Sequence, residues 1–176
     1  VATPKTIGSK EIQAAIARIA DAISARHPAA DRVILLGIAN GGITLARRLA
    51  AHLHWQRTGT LDISFHRDDI GRHPIPKEFA PTVLPGDVNS ATVILVDDVL
   101  YTGRTVKAAL DELFDHGRPA KVELAVLVDR GGRLMPVAAD YTGLTLDPAA
   151  GEKVIVTLDE LRPDRDRIAI AAKSKI

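Results

Sequence analysis

Two aspartates, Asp97 and Asp98, close a run of aliphatic residues in VILVDDVLYTGRT (93–105); Val99, Leu100 and Tyr101 then lead to Thr102, Gly103, Arg104 and Thr105. Paired carboxylates accept hydrogen bonds, and a buried strand has no reason to end on two of them unless something there donates. The residues that follow make the opposite kind of surface. Threonine hydroxyls, a glycine that turns tightly and the unpaired N–H groups of a helix start form a cup for an anion. A phosphate resting on the carboxylates would be repelled, whereas a vicinal diol would donate to them. A sugar phosphate satisfies both halves, with its diol at Asp97 and Asp98 and its phosphate at 102–105. Taken singly, Asp98 reads as a turn residue and Thr105 as an N-cap; the joint pattern points to a ligand. No GxxxxGK[ST] Walker loop occurs, and GIANGG (37–42) does not satisfy GxGxxG.

The elements that position these residues follow from periodicity. Ile12, Ala15, Ile16, Ile19, Ala20 and Ile23 fall on one helical face, with Ser9 as N-cap and His27-Pro28 as terminator. RVILLGI (32–38), LDISF (61–65), TVILV (92–96), KVELAVLV (121–128) and KVIVTL (153–158) read as strands. ITLARRLAAHL (43–53) and TVKAALDELFDH (105–116) read as amphipathic helices. Alternation of this kind predicts an α/β fold, a mostly parallel sheet with helices on both faces. Ligands bind such sheets beyond the carboxyl ends of the strands. ANGG (39–42) and DDVLYTGRT both sit at such ends, on one rim. Residues 66–91 lack periodicity, carry several prolines and are too long for an ordinary connection, so they read as a flexible loop.

Composition bounds the possibilities. A chain of 176 residues predicts one domain, 1–176, with one sizeable core. The absence of cysteine excludes disulfides, thiolate catalysis and cysteine-ligated metal. No apolar run is long enough to span a bilayer and no secretory segment opens the sequence, so no membrane partner and a cytoplasmic location are expected. A net charge of +1 does not announce a nucleic-acid binder.

With those residues in place, VDDVLYTGRTVKAALDEL resembles the phosphoribosyl-pyrophosphate (PRPP) motif of type I phosphoribosyltransferases. It is most similar to their branch of bifunctional pyrimidine-operon regulators and uracil phosphoribosyltransferases. DISFHRDD (62–69), GRPAKVELAVLVDRG (117–131) and ADYTG (139–143) extend the likeness over about residues 7–158. The resemblance implies the type I phosphoribosyltransferase fold and formation of UMP and diphosphate from uracil and PRPP. It implies that Asp97 and Asp98 bind the ribose hydroxyls and that Val99, Leu100, Tyr101, Thr102, Gly103, Arg104 and Thr105 hold the 5-phosphate. Ala39, Asn40, Gly41 and Gly42 become the diphosphate loop. Val128, Asp129, Arg130 and Val154 surround the base. The 66–91 stretch becomes a mobile hood in which Arg67 pairs with diphosphate and Asp68 or Asp69 meets a sugar hydroxyl or metal-bound water. Mg²⁺ is the implied cofactor, held by substrate oxygens and water with no direct protein ligand. A homodimer or larger homo-oligomer is implied as well.

The sequence also departs from the family. Asn40-Gly41 stands where relatives that regulate transcription carry Thr-Arg, and Gly132-Arg133 replaces His-Arg. Ala138 replaces an arginine, and His66 a tyrosine. Fewer fixed cations weaken the case for RNA as a partner, although Arg47, Arg48, Arg72, Arg118 and Arg133 remain as candidates. One Trp, two Tyr and three Phe leave little for stacking on bases. The expected activity is therefore uracil phosphoribosyl transfer. An RNA-binding regulator that senses uridine nucleotides, or a phosphoribosyltransferase for another base, is the alternative.

Overall fold

A computed structural model of the chain describes residues 5–64, 66 and 81–172. The main sheet is built from β2 (Val33–Ile38), β3 (Thr58–Leu61), β4 (Thr92–Leu100), β5 (Lys121–Asp129) and β6 (Tyr141–Thr145). All its pairings are parallel, and the order is β3-β2-β4-β5-β6. Successive side chains of the central strands leave on opposite faces. Val33, Leu35, Ile94 and Val96 meet α1 (Ser9–Arg26) and α2 (Gly41–Leu53) on one side. Ile34, Leu36, Val93 and Leu95 meet α3 (Arg104–Asp115) on the other. Burial on both faces explains why these strands read as unbroken apolar runs.

Several boundaries differ from the sequence reading. Ser9 is the first residue of α1, after the N-cap Gly8, and makes no side-chain cap. The third strand is Thr58–Leu61, so it ends at Leu61, where the expected strand LDISF (61–65) begins. As an edge strand it carries a weaker apolar signal, and its register with Leu35–Ile38 of β2 sets its limits. KVIVTL does form a strand, β7 (Glu152–Thr157), but not in the main sheet. It belongs to a separate antiparallel sheet, β1-β8-β7, completed by β1 (Lys5–Gly8) and β8 (Arg167–Ala172).

The expected loop at 66–91 is also narrower. Val83 bridges Thr60, Val88 and Ala91 are buried, and the Thr60 hydroxyl donates to the Pro81 carbonyl at 2.7 Å. Residues 81–91 are therefore packed against the sheet edge. Residues 67–80, with Arg67, Asp68, Asp69 and Arg72, lie outside the described residues.

Candidate active site

The strand order places a topological switch between β2 and β4. From β2 the chain moves outward to β3, and from β4 it moves the other way to β5. A crevice opens beyond strand ends at such a point. Two segments of the sequence reading meet there. β2 feeds through Ala39 and Asn40, joined by a cis peptide bond, into the first turn of α2 at Gly41 and Gly42. β4 does not stop at the carboxylates. It runs through Asp97 and Asp98 to Leu100, because β5 continues to pair with it as far as Asp129.

The contact between the two segments is close. A Cβ on Gly42 would lie 1.9 Å from the Val96 carbonyl oxygen, and one on Gly41 would lie 2.4–2.6 Å from the Asp98 carboxyl atoms. Only glycine lets the start of α2 reach the carboxylates. The helix N-terminus and its unpaired N–H groups thus lie beside Asp98, an acceptor and a donor surface on one rim.

The phosphate-cup residues lie at the next strand end. The turn is Tyr101–Gly103, with Gly103 at φ 90° as the N-cap of α3. Thr105 is therefore inside the helix and caps nothing; the Arg104 N–H donates to the Thr102 hydroxyl at 3.4 Å instead. A family model, the phosphoribosyl transferase domain, matches residues 8–160, which includes this whole rim. The chain belongs to the phosphoribosyltransferase family.

Several similar proteins share one name. The bifunctional protein PyrR of Streptomyces coelicolor is 47% identical over 169 residues, covering 93% of this chain and 86% of that protein. That of Deinococcus deserti is 49% identical over 158 residues, 85% of each chain. Among solved structures, a hypoxanthine-guanine phosphoribosyltransferase from Bacillus anthracis superposes with a TM-score of 0.70 at 17% identity, covering 97% of this chain and all of that one. The hypoxanthine phosphoribosyltransferase of Trypanosoma cruzi gives 0.67 at 21% identity, covering 94% of this chain and 95% of that one. These two superpositions establish the shared fold. The protein is a pentosyltransferase of the PyrR branch.

The electrostatics of this phosphoribosyltransferase rim are unusual for free carboxylates. Asp97 is 6% exposed, and its Oδ1 accepts the Asp98 N–H at 2.9 Å. Burial, then repulsion from Asp98, pushes the Asp97 carboxyl well above its ordinary range; burial raises Asp98 too. Among the described residues no Lys or Arg pairs with either. The pair is thus poised for a ligand that donates hydrogen bonds or brings positive charge. Sugar hydroxyls and a hydrated divalent cation both fit it, so the residues present suit Mg²⁺.

The expected base-side residues are brought to the same end of β5, but in mixed roles. The side chain of Val128 is buried in the core, as is that of Leu100 from the expected phosphate segment. Val154 lies on β7 and packs on the cluster that Val99 also joins. Asp129 is engaged internally. Burial alone would raise its carboxyl, but the Arg133 guanidinium and the Gly131 N–H (2.9 Å) outweigh that and hold it below the ordinary value. Arg130 stacks on the Tyr101 ring at 4.0 Å and donates to the Glu152 carbonyl at 3.2 Å, which ties the phosphate turn to β7.

Arg133 is a residue whose role the sequence reading missed. Besides Asp129, its guanidinium donates to the carbonyls of Tyr101 (2.9 Å), Leu100 (3.3 Å), Gly131 (3.3 Å) and Val137 (3.3 Å). The N–H groups of Leu134 and Met135 add bonds to the Thr102 carbonyl at 2.9 and 3.0 Å. Segment 130–137 is therefore a brace across the back of the phosphate turn. Only its arginine-after-glycine spacing hinted at this. Arg48, another expected free cation, is committed to Asp166 and the Asp159 carbonyl, and Arg118 to the Phe114 ring and carbonyl. His27, read as a helix-end residue, is the C-cap of α1, and its ring also holds the buried Glu123 at 2.7 Å beside the Tyr141 hydroxyl.

Proposed function

We propose that this chain forms UMP and diphosphate from uracil and PRPP at the β2–β4 switch point. The observation that carries the reading is the close approach of the Gly41 helix start to Asp98, where an added Cβ would lie 2.4–2.6 Å from the carboxyl atoms. It sets an anion-binding surface beside a pair of buried acceptors, as a sugar diphosphate requires. In this reading Asp97 and Asp98 accept from the ribose hydroxyls. The N–H groups at Thr102–Thr105 and the α3 dipole hold the 5-phosphate, and residues 39–42 receive the diphosphate. Displacement at C1 builds positive charge on the sugar ring, so the acidic pair stabilises the transition state as well as binding the substrate. Mg²⁺, when bound with the diphosphate, neutralises the leaving group. Backbone groups at the end of β5 and the aliphatic wall of Val99 and Val154 read the base. On sequence grounds alone, Arg67, Asp68 and Asp69 join from the diphosphate side.

A base screen with PRPP and Mg²⁺ tests this. Uracil should be converted to UMP at a rate well above hypoxanthine, guanine, adenine or cytosine. Turnover of a purine with uracil inert would refute the base assignment while leaving the PRPP site intact.

RNA binding is the second reading, favoured by the bifunctional name shared by relatives that are 44–49% identical. Against a strong form of it stand the committed arginines Arg48, Arg118 and Arg133. Arg47 is exposed but paired with Glu160 at 2.7 Å. We expect weak, salt-sensitive RNA association, in a chain that assembles as a homodimer or larger. Tight binding of a pyrimidine-operon leader hairpin at physiological salt, strengthened by uridine nucleotides, would put regulation first.

A further inference from the structure

A second cluster lies beside the phosphate turn, between the segment after β3 and the outer face of α3, where His66 lines a small pocket with Arg104, Lys107 and Met135. His66 Nε2 is 3.1 Å from Glu112 Oε2 and 3.3 Å from Asp115 Oδ2. The ligand atoms of the three residues all lie within 4.8 Å of one another. We propose that His66, Glu112 and Asp115 form a binding site for a divalent transition-metal ion of the Zn²⁺ class.

Geometry supports it first. With metal–ligand bonds of about 2.0–2.1 Å, the edges of a tetrahedron are roughly 3.3–3.4 Å. The two His66 separations are close to that value, so an ion needs little rearrangement to replace the direct contacts. Chemistry supports it second. One neutral imidazole and two carboxylates offset the charge of a 2+ ion, and imidazole selects Zn²⁺, Co²⁺ or Ni²⁺ over Mg²⁺, which prefers oxygen. Three protein ligands leave a fourth position for water.

The surroundings support it third. The remaining oxygen of Glu112 accepts the Thr82 hydroxyl at 2.7 Å and faces His116 Nε2 at 3.1 Å. The carboxylate is therefore held in orientation by outer partners, as ligating carboxylates are. Glu112 is also mostly buried, with a side chain 14% exposed, whereas Asp115 opens the site to solvent at 69%. His66 stands where the family resemblance gives tyrosine, so the site belongs to this chain's own sequence. It does not depend on the proposed base or on RNA.

Calorimetric titration of Zn²⁺ into the full chain, with Mg²⁺ in excess to occupy oxygen-only sites, reads it directly. One Zn²⁺ per chain is expected. His66→Ala and Glu112→Gln should each weaken binding by more than the roughly 10- to 100-fold that loss of an outer partner costs, and His116→Ala should fall within that range. His52→Ala, at the far end of α2, should change nothing. Co²⁺ should give the intense visible absorption of a four-coordinate site in the wild type and lose it in His66→Ala. Thermal melts check that each variant folds; His66 is partly exposed, so its variant decides the matter if Glu112→Gln unfolds. Absence of stoichiometric Zn²⁺ binding would leave the cluster as plain ion pairs and overturn the proposal. So would binding that survives His66→Ala, or binding abolished by Asp98→Asn.

Discussion

Gly41 and Gly42 are neighbours in the first turn of α2, yet their replacement by alanine should fail in different ways. A Cβ at Gly42 would sit 1.9 Å from the Val96 carbonyl oxygen, which is backbone in the centre of the sheet and cannot step aside. The helix must lift from β4. Overpacking of this kind costs about 1–3 kcal/mol, and for a chain of this size each kcal/mol lowers Tm by roughly 2–4 °C. Gly42→Ala should therefore melt about 2–12 °C below wild type. At Gly41 the new Cβ would instead meet the Asp98 carboxyl group at 2.4–2.6 Å, and that side chain can rotate. Alanine also gains up to about 1 kcal/mol of helix propensity over glycine. Gly41→Ala should hence keep or raise Tm while swinging Asp98 out of place. Loss of one charge-assisted hydrogen bond costs about 1.5–3 kcal/mol, or roughly 10- to 150-fold in affinity. Calorimetric PRPP binding and thermal melts on both variants check the pair. If Gly41→Ala bound PRPP like wild type, Asp98 would not be an acceptor for the sugar. If Gly42→Ala were as stable as wild type, the close approach itself would be wrong.

Asp97→Asn should weaken PRPP binding by a similar factor yet stabilise the free protein. Burial raises the folded carboxyl above the ordinary 3.8, so wild type carries a penalty that grows as pH rises past 3.8 and persists at neutrality. The stabilisation should vanish below about pH 4; an equal effect at all pH values would show that Asp97 ionises freely. For Glu123 the sign is opposite. Burial opposes ionisation, but Lys121, Tyr141 and His27 bring its pKa from 4.5 down to about 2. The resulting stability, about 3 kcal/mol, is present above pH 4.5 and is lost as pH falls toward 2. Glu123→Gln should be destabilised by about that amount at pH 7 and match wild type near pH 2 in denaturant melts. Arg133→Lys preserves charge but cannot reproduce the guanidinium fork. With about one net hydrogen bond lost, KM for PRPP should rise roughly tenfold while kcat at saturation changes less. Unchanged KM with weakened RNA binding would make Arg133 a phosphate contact and not a brace.

The sequence by itself determined the class of fold and the chemistry of its rim. Central strands buried on both faces, such as 33–38 and 93–96, must be continuously apolar, and amphipathic helices between them force parallel crossovers. Asp97, Asp98 and the Thr102–Thr105 segment were legible because two charges at the end of an apolar run contradict burial unless a ligand meets them. Elements with weak local signals were not legible. The edge strand β3, the short β1 and the alanine-rich β8 are defined by their partners, and β7 left the main sheet because β8 offers it an antiparallel edge. Arg133 looked like a surface cation, and only the folded chain brings the carbonyls of Leu100 and Tyr101 within its reach, more than thirty residues away in sequence. His66 stood out only as a departure from the pattern around it; its partners Glu112 and Asp115 come from α3. Contacts between residues distant in the chain leave no periodic trace in it. The tertiary structure alone decided which acids and cations were already paired and which still faced the crevice.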